Sequence, residues 1–455
     1  MSDIPKVKHP DLAYAEGPVP GANVATVARG SGDTHRSRWR MLALLAIAEL
    51  LGMSLWFAGS AVATSLASQW EISTSTGAAW LMTAVQLGFV AGTAVAAVLN
   101  LADVVPAVRY FAASATLAAI ANAALLAAPG FRLALATRFL TGFFLAGVYP
   151  PAMKMVATWF RARRGLAIGT VVGALTVGKA TPYLVLATVG ATTGPMSLGA
   201  GAATRVVLAA SLGALAAAVL VLIGYRDGPY PFQARPFSWR LVADVARERR
   251  WRLATSGYLG HMWELYAFWT WIPAFIAASV AAQVGELEQV SPSAIAALAF
   301  VTIAIGGLGC IWGGLAADRA GRERLVILAM AASGACALLM PVVFGRASWL
   351  LAIVVCLWGF FVIADSAQFS ALVTESVPPH AVGTALTLQT SLGFLLTTLP
   401  IQLVPALVAI FGWRWGFPAL ALGPALGIVA IHRLVALNRG RSAHDGEHDS
   451  TIMRT

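Results

Sequence analysis

The chain has 455 residues, of which 58% are hydrophobic and only 11% are charged, with a formal net charge of +11. Soluble domains carry about 25% charged residues, so this composition excludes an ordinary soluble enzyme and indicates a protein whose core faces lipid. The basic residues fall on short loops between apolar runs, so nucleic acid is not expected as a partner.

Residues 1–40 contain no apolar core followed by a small-residue cleavage site, and they are predicted to form a disordered cytoplasmic tail rather than a secretory signal peptide. Twelve apolar runs follow, each long enough to cross a hydrocarbon layer of about 30 Å as a helix. The predicted spans are Met41–Leu66, Ala78–Leu101, Val108–Ala128, Leu133–Val156, Leu166–Val189, Val206–Tyr225, Leu253–Ala281, Ser293–Ala316, Leu325–Phe344, Trp349–Leu372, Val382–Ile410 and Trp415–Leu437.

Arginine clusters lie on alternate loops: before the first span, after the fourth, across residues 226–252, after the eighth and at the end of the chain. Loops rich in Lys and Arg stay in the cytoplasm, and an even number of spans then leaves both termini there. The sequence therefore predicts a multi-pass protein of the bacterial inner membrane, in contact with the lipid bilayer on all sides.

The second half of the chain repeats features of the first. Glu49 returns as Glu264 and Asp103 returns as Asp318, each 215 positions later. The sequence therefore predicts an all-α membrane protein with two pseudo-symmetric six-helix bundles, residues 41–225 and 253–437. A basic cytoplasmic loop over 226–252 joins them, and residues 438–455 form a cytoplasmic tail. A duplicated unit of this kind is typical of transporters whose site lies between the halves.

Ionisable side chains within a bilayer are costly unless they face a cavity or a partner, so each one is a functional candidate. Those near the middle of a predicted span are Glu49, Arg138, Lys179, His261, Glu264 and Asp365. Glu264 and Asp365 are predicted to take up and release protons. The other four, with the aromatic residues Trp263 and Tyr266, are predicted to bind solute. The competing interpretation is that these charges pair with one another and only hold the bundles together.

Motifs for enzyme chemistry are missing. The stretch from Gly173 to Lys179 resembles the start of a phosphate-binding loop, but Ala180 stands where Ser or Thr would hold magnesium. No nucleophile elbow or metalloprotease motif occurs, and Cys310, Cys336 and Cys356 lack zinc-type spacing. No enzyme activity, cofactor or metal is therefore expected.

The loop after the predicted eighth span carries the sequence Gly-Leu-Ala-Ala-Asp-Arg-Ala-Gly-Arg from Gly314 to Arg322. This resembles the loop signature of the major facilitator superfamily. The matching loop of the first half keeps Asp103 but replaces the Arg and Gly that should follow it. Arg138 and Gly142 resemble the Arg-x-x-x-Gly of the family's fourth helix.

The resemblance implies two bundles that rock about a central cavity lined by the first, fourth, seventh and tenth helices. It also implies a cytoplasmic latch, formed by Gly314, Asp318, Arg319, Gly321 and Arg322 with Asp103 as the degenerate copy. The chain is loosely similar to bacterial nitrate, nitrite and cyanate porters, although it lacks their arginine on helices two and eight. It also lacks the complete glycine and proline motif of proton-driven exporters on helix five.

These features predict a monomeric secondary active transporter, a symporter that couples a small anionic solute to protons by alternating access. Within this prediction, Glu49 stays ionised beside Arg138 and Lys179, while Glu264 exchanges the proton. The alternative is proton-driven efflux of cationic or amphipathic drugs, with the carboxylates as cation sites and the tryptophans as a cage. A non-transporting membrane sensor and an intramembrane enzyme are further alternatives.

Overall fold

The computed structural model describes residues 24–160, 163–193, 200–230, 237–285 and 291–452. All regular secondary structure in these ranges is helical, and twelve segments within them are long and apolar enough to cross a membrane. They are span 1 (Arg36–Ala61), span 2 (Thr74–Val98), span 3 (Ala107–Ala127), span 4 (Phe131–Ala157), span 5 (Gly165–Gly190), span 6 (Gly201–Gly224), span 7 (Arg249–Val284), span 8 (Pro292–Ala320), span 9 (Arg322–Val343), span 10 (Ser348–Glu375), span 11 (Pro379–Phe411) and span 12 (Trp413–Gly440). The predicted all-α membrane fold is therefore confirmed.

Several spans are built from more than one helix. The α-helices are Val24–Met53, Leu55–Ala61, Ala63–Gln69, Thr74–Val98, Leu101–Val104, Ala107–Ala124, Phe131–Leu145, Tyr149–Ala157, Arg164–Thr193, Ala200–Gly224, Trp239–Arg247, Arg249–Val284, Pro292–Ala304, Gly306–Ala320, Arg322–Val343, Ser348–Ala364, Ser366–Glu375, Val382–Phe411 and Leu422–Ile452. Spans 1, 4, 8 and 10 are interrupted, at Ser54, at residues 146–148, at Ile305 and at Asp365. Pro150 and Pro151 begin the second helix of span 4, where a missing N–H leaves no hydrogen bond unmade.

The terminal segments are more helical than the sequence-based expectation, whereas the central loop contains a short basic helix of the kind that its helical spacing of apolar residues indicates. The first helix begins at Val24, inside the stretch predicted as a disordered tail, and the last helix continues to Ile452. Residues 1–23 and 453–455 lie outside the described part of the chain. In the central loop, Trp239–Arg247 forms a helix whose first turn is capped by the Ser238 hydroxyl, which accepts a hydrogen bond from the Leu241 N–H at 3.3 Å.

Within each half, two helices cross at backbone contact through glycines. A β-carbon at Gly142 of span 4 would collide with the backbone of Val85 in span 2. In the second half, a β-carbon at Gly359 of span 10 would collide with the backbone of Thr302 in span 8. Gly142 and Gly359 are the same position of the repeat, so the duplicated sequence produces a duplicated packing contact.

The two halves meet along two pairs of helices. Spans 5 and 8 cross with Gly173 facing Gly307 at backbone distance. Spans 2 and 11 are linked by a hydrogen bond of 2.9 Å from the Gln402 amide to the Thr83 hydroxyl, and by a 3.3 Å contact between the hydroxyls of Thr93 and Ser391. These contacts define a plane between the halves, and the candidate site lies on it.

Candidate functional site

Lys179 of span 5 lies inside a box of aromatic rings. Its Nζ is 4.4 Å from the ring centroid of Trp56, 4.8 Å from that of Tyr266 and 5.3 Å from that of Trp269, and it donates a hydrogen bond to the Tyr266 hydroxyl. The side chain is only 3% exposed. A desolvated ammonium gains about 2 kcal/mol or more from a ring face, so these rings stabilise the charge in the absence of water.

The box is shared between the two halves. Trp56 belongs to span 1, whereas Tyr266 and Trp269 belong to span 7. Phe89 of span 2 and Phe394 of span 11 complete it: their centroids lie 4.4 Å apart, and each lies within 5.4 Å of that of Trp56. The aromatic box is therefore Trp56, Phe89, Tyr266, Trp269 and Phe394, and Lys179 is the cation that it encloses.

A close helix crossing places Glu49 beside this cation. A β-carbon at Gly178 would collide with the backbone of Leu50, so spans 1 and 5 touch directly next to Glu49 and Lys179. Glu49 is fully buried and interacts electrostatically with Lys179. Neither of its carboxylate oxygens has a hydrogen-bond partner among the described residues. A carboxylate buried in this way retains its full capacity to accept a proton or a donor.

Arg138 of span 4 binds the backbone of the segment that carries Trp56. Its Nη1 donates to the carbonyl of Leu55 at 3.1 Å and to Oδ1 of Asn122 at 2.8 Å, and its Nη2 donates to the carbonyl of Trp56 at 2.6 Å. The two carbonyl acceptors follow the break of span 1 at Ser54, whereas Asn122 belongs to span 3. Arg138 thus holds the segment that carries Trp56, and its terminal nitrogens are engaged by the protein rather than directed at Glu49 or a solute as the sequence analysis expected.

Glu264, the repeat partner of Glu49, lies in a different environment. The Ser333 hydroxyl donates to one carboxylate oxygen at 2.8 Å, and the Trp358 indole N–H donates to the other at 2.7 Å. Both donors come from spans 9 and 10 of the same half. Glu264, predicted to exchange the proton, therefore lies within the second bundle instead of facing the central plane.

His261 and Asp365 lie together at the break of span 10. The Nδ1 of His261 is 2.9 Å from Oδ1 of Asp365, and the imidazole stacks on Tyr258 with centroids 6.0 Å apart. Asp365 separates the two helices of the span. The expected acid in span 10 thus has a histidine partner from span 7, and the two form a second protonatable pair near the plane between the halves.

A small cavity of about 30 Å³ lies between the halves next to this pair. Its lining comes from spans 4, 5, 7, 10 and 11 and consists of Tyr149, Met153, Ile168, Val172, Tyr258, Ser366, Ala367, Ser370 and Thr390. These positions lie in the portions of the spans that end on the arginine-rich loops. A solute could therefore approach the central plane from that end of the bundle.

Trp263, expected to contact solute, packs within the second half. Its indole N–H lies 3.3 Å from the carbonyl of Ala419, and its side chain fills the space in front of Gly423 in span 12. The aromatic residues that flank the cation are instead Trp56, Tyr266 and Trp269. Of the aromatic pair predicted from span 7, only Tyr266 belongs to the box.

Two residues expected to form the latch, Gly314 and Asp318 at the end of span 8, lie close to Gly165 at the start of span 5. The carboxylate oxygens of Asp318 are 3.7 and 3.9 Å from the position that a β-carbon at Gly165 would take, and Gly314 approaches the Gly165 backbone. Gly321 adopts φ +90°, a conformation that favours glycine, at the turn into span 9. Arg322 pairs with Glu375 of span 10, Arg319 is exposed, and the side chain of Asp103 lies outside the described part of the structure.

Sequence reasoning missed the two phenylalanines of the box and one polar neighbour. Phe89 and Phe394 lie in apolar spans with no local feature to distinguish them from lipid-facing residues. Gln86 lies one helical turn before Phe89, is fully buried, and its amide atoms have no hydrogen-bond partner among the described residues. The uncharged amide of Gln86 within an apolar span was the available signal, but the sequence-based site candidates were charged or aromatic side chains.

Comparison with known proteins gives one family and one fold. The family model described as "Major Facilitator Superfamily" matches residues 43–399. No curated protein matches the sequence. Among solved structures, a mutant of the nucleoside transporter NupG superposes with a TM-score of 0.63 at 14% identity, covering 87% of this chain and 99% of that chain.

Proposed function

Since the chain belongs to the major facilitator superfamily and is a multi-pass secondary transporter rather than an enzyme, we propose that it moves a small anionic solute together with a proton by alternating access. We place it in the bacterial inner membrane as a monomer. The observation that carries the proposal is the single buried ammonium of Lys179 inside the aromatic box, shared between the two halves.

The chemistry of the box favours a monovalent anion with an apolar body. Lys179 supplies one positive charge for a carboxylate or an oxyanion. The rings of Trp56, Trp269 and Phe394 offer apolar surface for the remainder of the solute. Benzoate combines one carboxylate with one ring, so it is the probe that this geometry selects.

Alternating access requires that the contacts between the halves break at one end at a time. The Gln402 to Thr83 hydrogen bond and the approach of Asp318 to Gly165 are two such contacts. Neither belongs to the interior of a bundle, so each can open while both bundles stay folded. A solute bound at Lys179 contacts residues of both halves and is therefore exposed to either side in turn.

Proton coupling has two candidate sites near the central plane, Glu49 and the pair of His261 with Asp365. Glu49, His261 and Asp365 are buried within membrane spans, where an ionisable side chain is a functional candidate. Glu264 is not included, because both of its oxygens accept hydrogen bonds within the second bundle.

Export of cationic drugs remains the second candidate, because an aromatic cage also suits an organic cation. In this protein the cage already encloses Lys179, so a cationic solute would meet a like charge. The structural neighbour is named for nucleosides, and at its level of identity the likeness supports the fold alone. A nucleoside is therefore a useful uncharged member of a test panel.

The test is a binding series of three benzene derivatives that differ mainly in charge, with uridine as an uncharged comparison. Purified protein is titrated with benzoate, benzyl alcohol, benzylammonium and uridine, and the midpoint of thermal unfolding is followed. We expect benzoate alone to raise the midpoint, and Lys179→Ala to abolish that rise while Lys154→Ala, a lysine near the end of span 4, preserves it. Stabilisation by benzylammonium and not by benzoate would support drug efflux, and stabilisation by uridine alone would contradict both.

A further inference from the structure

The two copies of the repeat differ in what surrounds their buried carboxylates. Trp358, which donates to Glu264, occurs in the sequence Leu357-Trp358-Gly359, and Thr141 stands at the matching position before Gly142. The Thr141 hydroxyl donates to the carbonyl of Thr137 at 2.8 Å and not to Glu49. The first half therefore carries the matching carboxylate without a donor to it at the position that corresponds to Trp358.

The groups that face Glu49 are few. The titratable side chains that interact with it electrostatically, among the described residues, are Lys179 of span 5 and Tyr149 of span 4, and Cys310 of span 8 lies near Lys179. Span 6 also packs on span 1, where Ala217 approaches Gly52, with no charged group at that contact. Lys179 is thus the group that determines the charge balance at Glu49.

Resting on the proposed function, we propose that Glu49 and the transported anion compete for Lys179, so that each anion bound is accompanied by one proton taken up on Glu49. In the empty carrier, the Glu49 carboxylate balances the Lys179 ammonium. When a carboxylate solute binds, its oxygens become the counter-ion of Lys179. A proton delivered by hydronium from the solvent then joins a Glu49 oxygen and leaves a water molecule behind, and no other covalent bond forms or breaks.

The reason for the coupling is the cost of net charge in a site without water. With ionised Glu49 and no anion, the Lys179 site is neutral, and with anion and protonated Glu49 it is neutral again. Anion beside ionised Glu49 leaves one excess negative charge, and protonated Glu49 without anion leaves one excess positive charge. Both charged states are unfavourable in a low-dielectric interior, so the carrier changes conformation either empty or carrying both anion and proton.

Two consequences follow. Transport is electroneutral, with about one proton moved per monovalent anion. Affinity for the anion rises as the pH falls through the range in which Glu49 becomes protonated, because the bound state holds the extra proton. The charged side chain that interacts electrostatically with Lys179 is Glu49, whereas Asp365 pairs with His261 and interacts with Cys310.

The test measures proton uptake directly. Benzoate is added to purified protein in weakly buffered detergent solution, and a pH indicator reports the protons taken up, with bound benzoate counted separately by radioactivity. Wild type is expected to take up about one proton per benzoate bound, at a pH where benzoate is ionised. Glu49→Gln is expected to bind benzoate with no proton uptake and with a flat pH profile.

The repeat supplies the matched control. Glu264→Gln should keep the proton uptake of wild type, and Glu49→Asp should keep it as well, which separates loss of the carboxyl group from loss of fold. Uptake that survives in Glu49→Gln, or that disappears in Glu264→Gln or Asp365→Asn while Glu49→Gln is unaffected, would overturn the inference. Failure of wild type to bind benzoate would instead contradict the proposed function, so the two claims fail separately.

Discussion

Each bundle interior and the plane between the bundles contain buried charged side chains, but these differ in how many hydrogen-bond partners the protein gives them. Inside the bundles, Arg138 and Glu264 have hydrogen-bond partners in the protein for both terminal nitrogens and both oxygens. At the central plane, Glu49 has no hydrogen-bond partner among the described residues, and Lys179 is surrounded by aromatic rings and donates to one hydroxyl. Satisfied charges hold a structure, whereas unsatisfied ones are available to a solute and a proton.

The difference also explains why the duplicated scaffold became asymmetric. The glycine crossings at Gly142 and Gly359 are retained in both halves, so the packing was kept. What differs is the set of donors: Trp358 and Ser333 donate to Glu264, whereas Thr141, at the position that matches Trp358, donates to the Thr137 carbonyl. These two donors separate a hydrogen-bonded carboxylate from one that has no hydrogen-bond partner among the described residues.

The largest expected effect is a loss of stability when Arg138 of the first bundle is replaced. Arg138→Ala removes two hydrogen bonds to the segment after the break of span 1 and one to Asn122 of span 3, and it leaves their acceptors buried. The free energy of unfolding is expected to fall by about 3 to 5 kcal/mol. The thermal midpoint in detergent measures this, with Arg132→Ala at an exposed position of span 4 as the control. An unchanged midpoint with benzoate binding abolished would assign Arg138 to the solute site instead.

The next effect compares the two carboxylates. Glu264→Ala leaves the Ser333 hydroxyl and the Trp358 N–H unpaired and is expected to lower stability by about 2 to 3 kcal/mol. Glu49→Ala loses no hydrogen bond but leaves the Lys179 ammonium without its counter-charge, so saturating benzoate should reverse its loss of stability. Unfolding measurements of the two variants with and without benzoate test the asymmetry, and a loss in Glu49→Ala that benzoate does not reverse would show that Glu49 is a structural charge as well.

A smaller effect, on the affinity for benzoate, is expected when one ring of the aromatic box is removed. Trp269→Leu removes one ring face at 5.3 Å from the Lys179 ammonium and should weaken benzoate binding by about 1 kcal/mol, or about fivefold. Trp263→Leu removes an indole of the same span that faces span 12 and should leave affinity unchanged. If the two substitutions had the same effect on affinity, the box would not be the solute site.

The smallest effect is expected at the latch. Asp318→Asn weakens the contact with the start of span 5 and should favour the conformation open at the arginine-rich end by about 1 kcal/mol. A cysteine introduced at Ser370 in the cavity lining should then be alkylated about fivefold faster. Arg319→Gln, at an exposed position of the same loop, is the control. An unchanged alkylation rate would place the barrier to the cavity elsewhere.

The fold was largely predictable from the sequence because membrane-length apolar runs and arginine-rich loops are strong signals. The twelve spans and their duplication followed from them, and both required no knowledge of side-chain contacts. The helix breaks at Ser54 and Ile305 were not foreseen, since neither carries a proline. They arise from packing against neighbouring helices, which one sequence does not reveal.

The site was predictable only in part. Lys179 and Tyr266 were identified because a charge and an aromatic residue within a span stand out. The roles of Glu49 and Glu264 could not be separated, since the two occupy matching positions and differ only in donors contributed by distant spans. Arg138 was assigned to solute for the same reason, because its acceptors are backbone carbonyls that every residue possesses.

The central claim is that the charge of the anion is compensated by a proton on Glu49, and charge movement tests it most directly. Proteoliposomes are adsorbed on a solid-supported membrane and exposed to a benzoate gradient. Wild type should accumulate benzoate with no electrical signal, whereas Glu49→Gln should exchange benzoate across the membrane without accumulating it, because its empty carrier holds an unbalanced Lys179 ammonium and does not return. A charge displacement in wild type, or accumulation of benzoate by Glu49→Gln at the wild-type rate, would contradict the account.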